Sequence, residues 1–326
     1  MVLGCLLTTP ACGTERSSSS SSDTPLRLVA NVPLPGPTNR FDYLGFDATA
    51  HRLYIAHMDA GEIVVIDTQT RRVIRTIDAP GVHGVIAVPS LHRVYATATD
   101  VDQLYTIDSR TGKLLTRAAA GDYPDGLTYD RVTGHVFVSD ESGGIEAVFD
   151  ADGRRIATID VGGGAGNVQY DPVAHSILAA VQTRDDMVVI DPRSNRVTQR
   201  VPLPGCDHPH GLHLDPPRRL AFVACDGNAV LLTVDLTTMK PTAKADVGGN
   251  PDVLAFDTGS RWLYVAAETG EVTVFSEQGR KLRKLGQWLL APDAHSVAVD
   301  SRTHLSYFPL EDGGDDKPEL RVMAPR

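Results

Sequence analysis

Apolar residues in this chain come in short β-branched and aromatic runs, bounded by Gly, Pro, Asp and Asn, as short strands require. One run returns seven times after Pro25. It reads Arg52-Leu53-Tyr54-Ile55-Ala56, then Arg93-Val94-Tyr95-Ala96-Thr97, then His135-Val136-Phe137-Val138-Ser139. The next copies are Ser176-Ile177-Leu178-Ala179-Ala180 and Leu220-Ala221-Phe222-Val223-Ala224. Trp262-Leu263-Tyr264-Val265-Ala266 and Leu305-Ser306-Tyr307-Phe308-Pro309 complete the set. The spacing of about 41 to 44 residues is the repeat length of a propeller blade. Each copy has one order. An inner strand ends near Asp (Asp47, Asp130, Asp171, Asp215, Asp257, Asp300), and a turn leads into the recurring run. A third strand ends in Val-Ile-Asp or a relative, as in Ile63 to Asp67, Leu104 to Asp108, Met187 to Asp191 and Leu231 to Asp235. A polar hairpin then leads to a fourth strand. The seventh copy lacks that fourth strand. Leu26 to Pro35 supplies it, because Val32-Pro33-Leu34-Pro35-Gly36 repeats the outer-strand ending Val201-Pro202-Leu203-Pro204-Gly205. The pattern predicts an all-β fold over residues 25–326: a seven-bladed β-propeller whose last blade is closed by the N-terminal strand.

The elements Leu53-Tyr54-Ile55-Ala56, Leu263-Tyr264-Val265-Ala266, Val64-Val65-Ile66-Asp67 and Val188-Val189-Ile190-Asp191 resemble the YVTN/YncE-type seven-bladed propellers. The resemblance covers nearly the whole chain after its serine tract. It implies the fold but not one activity, since that family mixes binding proteins, surface proteins and members without an assigned role.

Composition sharpens this picture. The chain has 326 residues with 29 Gly and 21 Pro, which favours many turns and few long helices. Its formal charge of -10 argues against nucleic acid or anionic lipid as the main partner. Residues 1–24 stand apart: an apolar stretch from Met1 to Ala11, Cys5 and Cys12, then Ser17 to Ser22. They resemble the end of a bacterial lipoprotein signal followed by a polar tether, with Cys12 or Cys5 as the lipid-bearing residue. No Lys or Arg precedes the apolar stretch, so the true start is expected upstream. The expected location is the cell envelope, periplasmic or extracellular, with a lipid anchor as the sole membrane contact and a monomeric chain. Disulfides persist there. Cys206 and Cys225 are then a disulfide, two free thiols or part of a Cys-His metal site.

Most acids read as turn chemistry. An Asp that ends a strand accepts hydrogen bonds from amides two residues on, which accounts for Asp47, Asp67, Asp108, Asp130, Asp150, Asp171, Asp191, Asp215, Asp235, Asp257 and Asp300. The cluster Glu311, Asp312, Asp315 and Asp316 reads as a solvated insertion in the last blade. His51, His92, His135, His175 and His304 fall on the face opposite the channel mouth, as loop residues.

One register departs from the structural pattern. At the start of the seven inner strands stand Asp42, His83, Asp125, Gly166, His210, Asp252 and His295. Inner strands line a propeller's channel, so these residues circle its mouth. Two residues earlier lies a mixed polar layer that includes Arg40, Tyr123 and His208, and the second strands end on the same face at His57, Asp140 and Cys225. Imidazole and carboxylate suit a divalent metal ion. The expected metal ligands are His83, His210 and His295. Asp125 and Asp252 are candidate catalytic bases, and Asp42, Tyr123, His208, His57 and Arg40 candidate ligand-binding residues. Gly166 leaves either a gap that admits a ligand or a tight turn. No nucleophile elbow, phosphate loop, His-Glu-x-x-His or dinucleotide fingerprint occurs. The function expected is a cell-envelope propeller that holds a metal ion or small-molecule ligand at this ring. A metal-dependent hydrolase or lyase of lactonase type is the alternative. A scaffold with an inert ring, binding a protein partner on the channel face, is the third reading.

Overall fold

In the computed structural model, which describes Met1 and residues 24–326, the chain forms seven four-stranded antiparallel sheets. Six of them use four consecutive strands each. The first blade, for example, runs Leu44–Asp47, Arg52–His57, Glu62–Asp67 and Arg72–Asp78. The seventh takes Ala298–Asp300, Leu305–Leu310 and Glu319–Pro325 from the C-terminal end and Leu26–Pro33 from the N-terminal end. Leu26 pairs with Pro325 and Pro33 with Glu319, so the N-terminal strand closes the ring as expected. Cys5, Cys12 and the serine tract lie outside the described residues. Among the described residues no helix is long and apolar enough to cross a membrane.

The hydrophobic core is divided among the gaps between blades, because alternate residues of each strand face opposite neighbours. Tyr54, Ala56, Ile63 and Val65 of the first blade pack against Val82, Val85, Val94 and Ala96 of the second. The closing strand shows the same division. Leu26 faces the sixth blade with Tyr264 and Val272, while Val32 faces the first with Leu53 and Ile55.

Strand-end aspartates cap their turns. Asp67 Oδ1 accepts the amides of Gln69 and Thr70, and Asp47, Asp108, Asp130, Asp150, Asp171, Asp191, Asp235, Asp257 and Asp300 act alike. Asp215 is a correction. Pro217 stands two residues on, so the first amide it would cap does not exist. Its carboxylate instead pairs with Arg261 of the next blade. Arg219 pairs in the same sense with Asp171 at 2.5 Å, and His304 with Asp257 at 2.7 Å. The C-terminal insertion carries Asp312, Asp315 and Asp316 exposed, as expected of a solvated loop.

The detail that positions the site is a bulge. In blades two to six the ladder between inner and second strands skips at Val82/Val85, Pro124/Leu127, Ala165/Val168, Pro209/Leu212 and Pro251/Leu254. The skipped residues are those of the mouth ring and their successors. A bulge frees a side chain from strict alternation and re-aims it. Neighbouring inner strands also crowd here. A Cβ on Gly84 would stand 2.4 Å from the Asp125 carbonyl oxygen, and one on Gly211 2.1 Å from that of Asp252.

Candidate functional site

Of the seven ring positions, Asp42, His83, Asp125, His210 and Asp252 line a cavity of about 330 Å³ at the channel mouth, and a sixth, His295, is buried beside Asp42 and Asp252. The seventh, Gly166, leaves no gap. A Cβ there would stand 3.0 Å from the His210 carbonyl oxygen, so the backbone of the next blade fills the space.

Each ring histidine has one nitrogen held by its surroundings and the other turned toward carboxylates. His83 Nδ1 lies 3.0 Å from Thr99 Oγ1, whose own proton goes to the Pro124 carbonyl at 2.6 Å. His295 Nδ1 donates to the Asp293 carbonyl at 2.8 Å. Both rings, when neutral, thus carry their lone pair on Nε2. Those atoms stand 3.8 and 3.9 Å from Asp42 Oδ2. His210 Nδ1 lies 2.8 Å from the Gln182 amide, and its Nε2 stands 3.1 Å from Asp252 and 4.0 Å from Asp125.

The three imidazoles do not form the compact set expected. Among the described residues the group whose donor atoms all lie within 4.8 Å of one another is Asp42, Asp252 and His295, from blades one, six and seven. Two expected ligand or catalytic carboxylates therefore take the place of His83 and His210, which flank the group. Asp42 is 1 % and His295 1 % exposed, and Asp42 Oδ1 and His295 Nε2 have no hydrogen-bond partner among the described residues. Unpaired buried donors and acceptors are costly. A group so arranged could hold a metal ion.

The electrostatics are balanced by proximity. Burial alone would raise the Asp42 carboxyl, yet His295, His83 and Arg40 hold it well below the usual range. Burial, helped by the negative charges of Asp42 and Glu141, pushes Asp125 up to about 6 against the pull of His83 and His210. Burial opposes the charge on His210, but Asp252, Asp125 and Glu141 lift it to about 10. Arg40 reaches across the mouth, with Nη2 2.8 Å from Glu268 Oε1 and Nε 3.4 Å from Asp42. Tyr123 donates its hydroxyl toward His83 Nε2 at 3.2 Å. His208 lies on the rim, half-exposed, 3.3 Å from Asp226.

His57 is not part of this cavity. It is fully buried, stacked on Phe41 at 4.0 Å, with Nε2 2.6 Å from Asn39 Oδ1. Burial lowers it to about 4, which keeps it neutral. The reason is register. The side chains of His57, Asp140 and Cys225 turn into the blades, and the next residue faces the mouth. That later register reads Met58, Thr99, Glu141, Gln182, Asp226, Glu268 and Glu311, and four of these line the cavity: Glu141, Gln182, Asp226 and Glu268. Cys206 and Cys225 form a disulfide with Cα atoms 5.2 Å apart, which excludes both from metal binding and braces the loop bearing His208 and His210.

One buried acid stands outside the mouth. Glu146 of the third blade occupies the position where other blades put Ile63, Leu104, Met187, Leu231 and Val272. Its Oε1 accepts from Ser139 at 2.8 Å, Oε2 has no partner among the described residues, and burial pushes it up to about 8.

No family model matches the chain. It is 28% identical over 92 residues to the "Uncharacterized protein YncE" of Salmonella typhi and equally to that of Salmonella typhimurium. The matched segment is 28% of this chain and 26% of each relative, so the chain matches about a quarter of their length. Among solved structures it is similar to a chain of Kuenenia stuttgartiensis hydrazine synthase, with a TM-score of 0.74, 14% identity, and 93% of this chain and 97% of that one covered. At that identity the likeness is one of fold. With seven blades, a closing N-terminal strand and the repeat elements described above, the chain is a YncE-like seven-bladed β-propeller.

Proposed function

We propose that this propeller is a cell-envelope binding protein that holds a divalent metal ion on Asp42, Asp252 and His295, with a small ligand occupying the rest of the mouth cavity. The observation that carries this reading is the convergence of three buried donors from three blades, each with an atom that has no hydrogen-bond partner among the described residues. Two carboxylates and one imidazole suit Zn²⁺, Mn²⁺ or Fe²⁺ better than a soft ion. The cavity is far larger than an ion needs, and its other wall, with Tyr123, Gln182, His208 and Arg40, offers hydrogen-bonding groups to a ligand. The Cys206–Cys225 disulfide supports an oxidising compartment. The test is elemental analysis of protein purified without a His tag. Near-stoichiometric metal that falls away in Asp252→Asn upholds the reading, and protein that stays metal-free after reconstitution overturns it.

A second reading, a metal-dependent hydrolase or lyase, is favoured by Asp125. Its Oδ2 is buried in the wall of the same cavity, 4.0 Å from His210 Nε2 and without a hydrogen-bond partner among the described residues, as a general base awaiting a proton would be. A divalent ion would supply Lewis acidity. Turnover of simple lactones that is lost in Asp125→Asn while metal content is kept would establish the enzyme.

A further inference from the structure

The channel holds a second space. Further along the same inner strands lies a chamber of about 260 Å³, walled by Phe46, Leu127, Leu212 and Phe256 among other apolar residues. Tyr43 borders both spaces, and its hydroxyl donates to Asn167 Oδ1 at 2.6 Å, forming a septum between them. No Lys, Arg, Asp or Glu lines the chamber. Beyond Tyr43 and Asn167 of the septum, two polar side chains do, Gln169 of the fourth blade and His213 of the fifth. They hold the same register, two residues before the strand-end Asp171 and Asp215, on adjacent inner strands. Neither side chain has a hydrogen-bond partner among the described residues, although His213 packs its ring against Phe256 at 6.2 Å. Other blades put Gly45, Ile86, Ala255 and Ala298 in this register, and the third puts Thr128, which accepts the Tyr170 amide and does not line the chamber. The polar pair is thus a local departure inside an apolar wall.

We propose that this chamber is a binding site, distinct from the mouth, for an uncharged and largely apolar molecule the size of a fused bicyclic ring that carries one N–H or O–H. Size sets the first limit. An apolar cavity of about 150 Å³ accommodates benzene, and this chamber leaves room for a second ring. Charge sets the second, since an ion would be buried there without a counter-charge. The polar pair sets the third. Neutral imidazole offers one acceptor nitrogen, and burial, which lowers His213 to about 4, keeps the ring neutral at ordinary pH. Gln169 can give or accept a second bond. A ligand with one donor would satisfy His213 and cover the apolar wall together.

The experiment titrates the full chain with indole and with indene, its isostere without the N–H. Indole is expected to bind saturably at one site, about fivefold tighter than indene, the worth of one hydrogen bond. His213→Phe should erase that preference, and Ala255→Phe, which fills the chamber, should abolish binding of both. Should Ala255→Phe fail to fold, methyl NMR of the unaltered chain decides. Shifts on adding indole are expected at Leu127, Leu212 and Leu254. The proposal is overturned if neither probe saturates, if the preference survives His213→Phe, or if the shifting methyls lie outside the chamber.

Discussion

His295 Nε2, on the seventh blade, stands 3.9 Å from Asp42 Oδ2, on the first, and this pair is the junction at which the ring both closes and presents its donors. The closing strand brings the two blades together, so this group of donors exists only in the closed propeller. His295→Ala and Asp42→Asn are each expected to weaken metal binding at least about tenfold, as loss of a ligand should. His83→Ala, outside the compact group, should retain stoichiometric metal. Calorimetric titration with Zn²⁺ and Mn²⁺ checks this, and the reverse order of effects would restore the three-imidazole arrangement.

Glu146 makes stability depend on pH in a predictable direction. An unfolded glutamate titrates near 4.5, and burial moves the folded one to about 8. Between those values the folded chain holds the extra proton, so this residue's contribution falls as pH rises from 5 to 8 and stays low above. Glu146→Gln should match the parent at pH 5 and exceed its Tm by roughly 2 °C or more at pH 9. Equal melting curves at both pH values would refute the assignment.

The Cys206–Cys225 bridge spans 19 residues of sequence. Loop closure of that length contributes roughly 3 kcal/mol. The Cys206→Ala/Cys225→Ala double variant should lose about that much in urea unfolding. The parent should show the same loss in dithiothreitol, and a parent indifferent to reductant would contradict it.

Leu26 is 1 % exposed and packs from the closing strand against the sixth blade. Leu26→Ala should destabilise the fold by about 2–5 kcal/mol, measured by urea unfolding. A cost under about 1 kcal/mol would show the closing strand to be dispensable.

The blades and their closure were legible because period-two runs repeat seven times with fixed punctuation. The ring was legible for a related reason: a position that breaks an apolar pattern in six of seven repeats stands out. Three features were hidden. Glu141, Gln182, Asp226 and Glu268 sit one residue past the register suggested by His57, Asp140 and Cys225, and along a strand one residue reverses the facing direction. The choice of Asp42 and Asp252 over His83 and His210 depends on distances across the channel, which spacing within a repeat does not encode. The inter-blade pairing of Asp215 with Arg261 needed Pro217 to be read as a missing donor.

The strand that seals the ring sets the order in which the protein can be made. Leu26–Pro33 leaves the ribosome before every other strand of the propeller, and its partner Glu319–Pro325 after all of them. While the blades between them are made, the growing propeller carries an unmatched strand on one side and an open sheet edge on the other. Both can recruit the wrong partner. Closure therefore becomes a late event in the life of each molecule. A chain stalled before Glu319 would be a sticky, open arc, however well its first six blades had formed.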